Sequence, residues 1–400
     1  MSININYTGT KKNVINEIFS NRLITRSELS KKLQLSALTI SKAVTALLAD
    51  NIIIETDLLE SSGGRKPVAL AINPHYAYII GIDIGSYSFK IGVVTLTGEV
   101  IEHDSIITYN LTAPSPTLSF EQIIDKIQYY FDKYDYNKFL SICIGVSGMV
   151  DYNKQEIIFC PNITGLDNKG IVSTLREHFK INVTIDNSAR CMALGEKLFG
   201  CGKEIDNQLF ISIGHSISSG MITNSQLFRG ADGFSGEIGH IQVSQSNDMC
   251  TCGNFGCLEL YATIPMILIK AMEELQDTDI YSPLKQFCPD LNKINMETIV
   301  KAYHLGDKTI MKIIQEVGKK LGVSISAVIN LFNPSLVVFG GGLIEVFPEI
   351  IDEVTRFVYQ NSLTPSTSKI VFKKSDLNEL SPIIGSACQI INSTFPPCTV

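Results

Sequence analysis

The sequence predicts an α/β protein in which an N-terminal winged helix-turn-helix precedes a larger domain with two lobes and a cleft between them. Three observations predict this architecture. Short amphipathic helices and a β-hairpin fit within the first 72 residues, strands and helices alternate from about residue 73 onward, and these units recur in two halves. A chain of 400 residues is also long enough for two or three domains.

The first 50 residues predict three helices. Apolar residues at helical spacing indicate a helix over 11–20, and Thr25 with Glu28 forms a capping-box pattern at the start of a second helix. Ser36 is the expected N-cap of the third helix, which has a polar outward face. Such a face is typical of the helix that enters a DNA groove. The predicted DNA contacts on this helix are Ser36, Ala37, Leu38, Thr39, Ser41, Lys42 and Thr45.

A β-hairpin after these helices is the predicted wing. Residues 51–56 and 68–72 are strand-like, and the segment between them contains glycines and basic residues. Glycine lets a backbone approach a groove closely, and arginine suits an electronegative minor groove. The predicted DNA contacts of the wing are Gly63, Gly64, Arg65 and Lys66. A flexible linker with two solvated charges is the alternative interpretation.

The charge distribution favours DNA binding by the N-terminal part. Residues 1–54 carry seven lysines and arginines against three acidic residues, a net charge of +4, whereas the whole chain carries −7. A small basic domain attached to an acidic body is typical of a DNA-binding regulator. The sequence shows no run of eighteen apolar residues and no apolar segment typical of a secretion leader near residue 1, and most of its cysteines are scattered. We therefore expect a cytoplasmic protein with reduced thiols.

The larger domain is predicted from its alternating pattern. The predicted strands are 77–84, 90–96, 99–101, 140–145, 182–186, 208–213, 335–339 and 369–373. The predicted helices are 119–133, 188–199, 346–360 and 382–394, with a helical region over 257–331.

One segment predicts a metal site. Its candidate ligands are His240, Cys250, Cys252 and Cys257. One imidazole and three thiolates are a typical tetrahedral ligand set for structural zinc. Gly253 and Gly256 allow the chain to bend so that the thiolates converge, whereas free buried cysteines are the alternative. Because the protein fills all four positions, the zinc is expected to hold a loop in shape rather than to activate water.

Residues from about 73 to 395 resemble the ROK family of repressors and sugar kinases, which belongs to the actin/hexokinase-like superfamily. The resemblance rests on GEIGH at 236–240, the CTCGNFGC segment with Leu258-Glu259, and PNITG at 161–165. The N-terminal part, with SSGGRKP at 61–67, resembles the xylose-repressor and N-acetylglucosamine-repressor branch. The resemblance implies a winged helix-turn-helix over 1–72, lobe I over 73–187 completed by the C-terminal helix 382–400, and lobe II with the zinc loop over 188–381.

The resemblance also implies which residues bind a sugar. The positions that match the family's sugar ligands are Asn162, Asn187, Ser188, Glu237, His240 and Glu259. Carboxylate and amide groups suit sugar hydroxyls, which both donate and accept hydrogen bonds. In this arrangement His240 binds zinc through one ring nitrogen and faces the sugar with the other, so the zinc loop fixes one wall of the pocket.

The chain departs from the kinases of this family at three places. Ser188 stands where the kinases have an aspartate as general base, and loss of a positioned base costs roughly 10²–10⁴-fold in rate. Tyr87 adds a bulky ring to the first phosphate loop, and the second, residues 214–220, has His215 and serines in place of glycines. Side chains there block the backbone amides that cradle phosphates. We therefore expect no catalytic activity and no bound ATP.

The same substitutions leave the effector open. Ser188 removes one sugar contact, and Arg190 is expected to bring a cation close to the pocket floor. The effector is then either an unusual sugar or an anion such as a sugar phosphate, and complete loss of sugar binding is a further alternative.

The leading hypothesis is a sugar-responsive DNA-binding transcriptional regulator, most simply a repressor of carbohydrate-utilisation genes. Its partners are operator DNA, a sugar or sugar derivative, and further copies of the chain in a homodimer or dimer of dimers that spans two half-sites. Two alternatives remain at this stage. One is an active ATP-dependent sugar kinase with an accessory DNA-binding domain, and the other is a regulator controlled by a protein partner such as a transporter subunit.

Overall fold

The computed structural model describes residues 5, 7–57, 68–108, 119–160, 170–277 and 280–396. Helices and strands alternate along these residues, and the predicted α/β class is confirmed. Five predicted site residues lie outside the described residues, namely Gly63, Gly64, Arg65, Lys66 and Asn162. Within the described ranges, the helices are all too short or too polar to cross a membrane.

The N-terminal part has the predicted order of helices and hairpin. Its elements are α1 (Gly9–Asn21), β1 (Ile24–Thr25), α2 (Arg26–Leu33), α3 (Ala37–Ala49), β2 (Ile53–Asp57) and β3 (Val68–Ile72). The three strands form an antiparallel sheet in the order β1-β3-β2.

Both predicted helix caps are present in this part. The Thr25 hydroxyl accepts a hydrogen bond from the Glu28 N–H at 3.3 Å, and the Glu28 carboxylate accepts one from the Thr25 N–H at 2.8 Å. The Ser36 hydroxyl accepts from the Thr39 N–H at 3.1 Å. Each cap satisfies backbone N–H groups that the first helical turn leaves without a partner, which fixes where α2 and α3 begin.

A second sheet carries the first half of the larger domain. Its elements are β4 (Tyr78–Ile84), β5 (Ser88–Thr95), β6 (Val100–Ile107), α4 (Phe120–Tyr134), β7 (Phe139–Val146), β8 (Met149–Asp151), β9 (Glu156–Phe159), α5 (Ile171–Phe179), β10 (Asn182–Asn187) and α6 (Ser188–Leu198). The sheet order is β10-β7-β4-β5-β6, in which β10, β7 and β4 are parallel. The hairpin of β8 and β9 stands apart from it and was not predicted.

The second half is built on a third sheet and a helical layer. Its elements are β11 (Gln208–Ile213), β12 (Ile217–Thr223), β13 (Gln226–Phe228), α7 (Glu259–Ala262), α8 (Ile264–Leu275), α9 (Pro283–Phe287), α10 (Met296–His304), α11 (Lys308–Phe332), β14 (Leu336–Gly340), α12 (Gly342–Val346), α13 (Ile350–Asn361), α14 (Thr364–Thr367), β15 (Val371–Lys374) and α15 (Ser381–Thr394). The sheet order is β13-β12-β11-β14-β15, with β11, β14 and β15 parallel.

Two predictions of local structure differ from the structure in their bounds. The helix predicted over 346–360 begins at Ile350 as α13, and the separate helix α12 ends at Val346, because Pro348 between them cannot donate a helical hydrogen bond. The second phosphate loop is shorter than predicted, because β12 takes up its residues from 217 onward and pairs with β11. Gly220 packs so closely on α6 that a side chain there would collide with the Ala189 carbonyl.

The N-terminal part shares a hydrophobic core with the larger domain. Ile18 and Leu47 belong to the same buried cluster as Ile79 of β4 and Phe395 just after α15. The Phe19 ring stacks on the Phe395 ring with centroids 4.6 Å apart. The winged helix is therefore packed against the body rather than attached only through the covalent chain.

A second contact joins α1 to the end of α6. The Phe19 ring meets the edge of the Phe199 ring at 6.2 Å, and the Arg22 guanidinium lies 5.4 Å from the centre of the Phe199 ring. Arg22 also donates a hydrogen bond to the Leu198 carbonyl at 3.2 Å. The C-terminal end of α6 therefore contacts the winged helix directly.

Candidate functional site

The four predicted metal ligands form one cluster. His240, Cys250, Cys252 and Cys257 offer ligand atoms that all lie within 4.8 Å of one another. Cys250 Sγ lies 3.7 Å from His240 Nδ1, and Cys252 Sγ lies 3.7 Å from Cys257 Sγ. A tetrahedral zinc ion with bonds of about 2.3 Å to sulfur separates its ligand atoms by roughly 3.8 Å. The cluster can therefore bind a metal ion, and its spacing fits a tetrahedral one.

The backbone around the cluster is closed by short-range hydrogen bonds. The Cys250 N–H donates to the Asn254 carbonyl at 2.7 Å, and the Gly253 N–H donates to the Cys250 carbonyl at 2.9 Å. Gly256 has a positive φ of 67°, and a side chain there would collide with the Ser244 carbonyl. Glycine is therefore required where the chain turns back towards Cys257, as the sequence predicts.

A small pocket of about 40 Å³ adjoins this metal cluster. Its polar walls include Asn187, Glu237, His240 and Glu259, so the structure brings four of the six predicted sugar ligands together. Asn162 lies outside the described residues, and Ser188 does not line this pocket. Because His240 Nδ1 points towards Cys250, the other ring nitrogen is the one available to the pocket.

The hydrogen bonds within the pocket leave specific groups available for a ligand. Asn187 caps α6 by accepting from the N–H groups of Ala189 and Arg190, and it donates to the Gly148 carbonyl at 3.0 Å. One N–H of its amide remains for a ligand. The Glu259 carboxylate accepts from the Ile217 N–H at 2.7 Å through one oxygen. The second oxygen is left for a sugar hydroxyl.

Burial changes the acidity of the pocket carboxyls. Burial raises the pKa of Glu237 above its ordinary value, although the neighbouring His240 and Arg190 oppose this shift. Burial likewise raises the pKa of Glu259, against the hydrogen bond from Ile217. Desolvated carboxyls of this kind form strong hydrogen bonds with hydroxyl groups, which is the chemistry needed to hold a sugar.

The pocket also contains residues that sequence reasoning missed. Met149 and Phe159, from the hairpin of β8 and β9, supply apolar surface, and Thr251 reaches the pocket from the metal loop. The position of Thr251 between two metal ligands is a signal that could have identified it. No periodic pattern marks β8 and β9, because strands of three and four residues are too short to show one.

Ser188 and Arg190 make buried hydrogen bonds beside the pocket, and Ser188 lines the larger cavity next to it. The Ser188 hydroxyl hydrogen-bonds to the buried Asp83 carboxyl, whose pKa burial raises to about 6. The Arg190 guanidinium donates to Asp186 at 2.7 Å and to the Gly233 carbonyl at 2.6 Å. Arg190 therefore neutralises a buried carboxylate and ties a loop to α6. Its charge nevertheless reaches the pocket, where it opposes the rise in the pKa of Glu237.

Two aromatic side chains, from the turn between β4 and β5 and from the turn between β11 and β12, meet across the cleft. The rings of Tyr87 and His215 stack with centroids 4.2 Å apart and planes inclined by 17°. The Ser86 and Ser216 hydroxyls lie 3.4 Å apart beside this ring pair. The ring pair therefore bridges the two turns.

The predicted DNA-contacting helix presents a polar face to solvent. Lys42 and Thr45 of α3 are exposed, Thr39 and Ser41 are half-buried, and Leu38 is 66% exposed. Ser36 and Ala37, at the start of the helix, are also exposed. The opposite face of α3 is buried against α1 and α2 through the apolar residues predicted to form the core.

Comparison with known proteins gives one consistent result. The ROK family matches residues 79–392. The chain is 31% identical to the xylose repressor of Bacillus spizizenii over 95% of this chain and 94% of that protein.

Solved structures agree with this match. A ROK family transcriptional regulator, described as a homologue of the Escherichia coli MLC protein, is similar over 96% of this chain and 97% of its own, with a TM-score of 0.77 and 26% identity. A ROK family glucokinase from Streptomyces griseus, solved with glucose and AMPPNP, is similar over 78% of this chain and 98% of its own, with a TM-score of 0.66 and 25% identity. The resemblance noted from the sequence is therefore confirmed, and the chain belongs to the ROK family.

Proposed function

We propose that this chain is a sugar-responsive transcriptional repressor of carbohydrate-utilisation genes, with an effector domain that has a sugar-kinase fold but no kinase activity. The observation that carries this proposal is the pocket of Glu237, His240 and Glu259 in the same chain as a winged helix with an exposed polar face. The similarity to a xylose repressor over nearly the whole chain supports it. We place the protein in the cytoplasm as a homodimer or dimer of dimers on operator DNA.

The metal is proposed to be structural zinc. Three thiolates and an imidazole are the donor set that zinc prefers, and the four protein ligands leave no open position for catalysis. A bound zinc would fix the ring of His240, and so the wall of the pocket that this residue forms.

The effector is proposed to be an uncharged sugar rather than a sugar phosphate. Glu237 and Glu259 line the pocket, and a phosphate beside these carboxylates would meet repulsion. The Arg190 guanidinium, whose charge acts on Glu237, is paired with the buried Asp186 carboxylate and so does not offset this repulsion in full.

Helix α6 is proposed to couple the pocket to the DNA-binding part. Its N-cap, Asn187, lines the pocket, and its far end contacts α1 through Leu198 and Phe199. A helix is a rigid element, so a shift at Asn187 on sugar binding is transmitted to Arg22. The domain boundaries that fit this scheme are 1–72, 73–187 with the C-terminal segment 382–400, and 188–381.

The function is tested with an operator selected by the purified protein from a random DNA pool. Glu237→Gln is expected to weaken sugar binding about tenfold to a hundredfold, because a charge-assisted hydrogen bond is worth roughly 1.5–3 kcal/mol. Its affinity for the operator without sugar should match that of the unchanged protein. Calorimetry gives the first quantity and fluorescence anisotropy the second.

Lys42→Ala serves as the complementary variant in this test. It should weaken operator binding and reduce by about one the slope of the logarithm of the operator-binding constant against the logarithm of the salt concentration. Sugar binding should be unaffected. If no neutral sugar alters thermal stability or operator affinity, the sensor assignment is wrong and control by a protein partner becomes the better hypothesis.

The coupling role of α6 gives a separate prediction. Arg22→Ala should leave the operator affinity and the sugar affinity each within about twofold, yet reduce the effect of sugar on operator affinity. Coupling of this kind commonly amounts to about 1–3 kcal/mol, so the expected loss is several-fold in the ratio of affinities with and without sugar. Arg356→Ala, at an exposed arginine of α13, is the matched control. An unchanged ratio in Arg22→Ala would rule out this route.

An active sugar kinase is the competing function. Two observations support the proposal that this activity is lost. The Ser188 hydroxyl is hydrogen-bonded to Asp83, and the Tyr87 and His215 rings stack between the two segments compared with phosphate loops. An ATP-coupled assay over hexoses and pentoses decides between the two, since turnover that Glu237→Gln abolishes would require a kinase.

A further inference from the structure

A second and much larger cavity adjoins the proposed sugar pocket. It has a volume of about 940 Å³ and lies between the two lobes. Ser147 and Ser216 line both spaces, so the cavities meet at these two hydroxyls. Ligand sites commonly have volumes of about 300–1,000 Å³, which the small pocket alone does not reach.

The charged groups of this cavity do not suit a phosphate. Of the two lysines that line it, Lys90 is held by the protein, whereas Lys293 is 80% exposed and stands in solvent at the rim. Lys90 donates to the Glu379 carbonyl at 2.9 Å, and Lys293 lies 3.6 Å from the Asp290 carboxylate. Burial lowers the pKa of His215 to about 4, so this imidazole is neutral at physiological pH. The cavity is therefore large enough for a nucleotide, but neither Lys90 nor His215 supplies a free positive charge for its phosphates.

The same walls suit an uncharged polyhydroxyl compound. Serine hydroxyls line the cavity at Ser86, Ser88, Ser105 and Ser212, and each can both donate and accept a hydrogen bond. Tyr87 and His215 add two flat rings at the side nearest Ser216, and Tyr87 is 40% exposed. A sugar ring is apolar on its faces and polar at its edge. Its faces pack against flat aromatic surface, and its edge forms hydrogen bonds with hydroxyl groups.

We propose that the effector is an uncharged disaccharide or glycoside, with one ring in the sugar pocket and its second group in the 940 Å³ cavity beside Tyr87 and His215. This inference rests on the proposed function, because it extends the ligand of the same pocket. It assigns the ring pair a binding role in the place where a kinase of this fold would hold phosphate.

The test is calorimetric titration of the full chain with matched sugars. Xylose, glucose and N-acetylglucosamine are compared with xylobiose, cellobiose and N,N′-diacetylchitobiose. One of the disaccharides is expected to bind at least about tenfold more tightly than its own monosaccharide, which corresponds to an additional ring contact of about 1.4 kcal/mol. ATP and ADP are titrated in the same way and should not bind.

Variants of Tyr87 separate this inference from the proposed function. Tyr87→Ala should weaken the disaccharide about fivefold to tenfold and the monosaccharide less than twofold, whereas Tyr87→Phe should keep both affinities. Tyr281→Ala, at a tyrosine that is 77% exposed, is the matched control. Equal affinity for monosaccharide and disaccharide, or binding of ATP, overturns the inference and leaves the sugar sensor standing. Failure of every sugar to bind overturns the sensor itself.

Discussion

Arg190→Met is expected to lower the free energy of unfolding by about 3–5 kcal/mol, because it leaves the carboxylate of Asp186 buried without its main partner. The side chains of both residues are only 1% exposed, and the guanidinium also ties the Gly233 carbonyl to α6. Urea unfolding followed by circular dichroism measures the loss.

Two further variants test the cause of this effect. Arg229→Met removes the second partner of Asp186. The Arg229 side chain is 27% exposed and therefore partly solvated, so this variant should lower the free energy of unfolding by less than Arg190→Met does. The double variant Asp186→Asn with Arg190→Met removes both charges and should recover part of the loss. Equal destabilisation by Arg190→Met and Arg229→Met would contradict the assignment of Arg190 as the main partner.

Cys257→Ala is expected to abolish both metal binding and the response to sugar. Apparent binding free energies of structural zinc in small peptides are about 10–16 kcal/mol, so a lost thiolate removes a large stabilising contribution. Without the metal, the loop of residues 248–257 would no longer be tied to His240, and the His240 ring would no longer be fixed at the pocket. Elemental analysis should find one zinc ion per unchanged chain and almost none in the variant.

A matched control is available for this experiment. Cys288 is also buried but lies in the helical layer, away from the cluster, so Cys288→Ala should retain the zinc and the sugar response. Zinc at full occupancy in Cys257→Ala, or an intact response to sugar without zinc, would show that the loop does not support the pocket.

The features that the sequence predicts well depend on neighbouring residues. The caps at Thr25 and Ser36 are correct because each needs only a side chain and an N–H group two or three positions away. The metal cluster is correct because three of its ligands lie within eight residues, with glycines where the chain must turn.

The features that the sequence did not predict depend on tertiary contacts. The salt bridge of Arg190 with the buried Asp186 joins the first turn of α6 to the end of β10, and the sequence did not predict it. The stacking of Tyr87 on His215 joins residues from two lobes, and nothing in either segment identifies the other. The start of α13 beyond Pro348, in contrast, could have been predicted from the proline alone.

The packing of Phe19 against Phe395 bears on the order in which this protein matures. During synthesis the winged helix is made well before α15, the helix that ends beside Phe395 and completes the hydrophobic core of the winged helix. A chain that stops short of α15 leaves Ile18 and Phe19 without part of their packing. We therefore expect the winged helix to reach its final position only after α15 has been made.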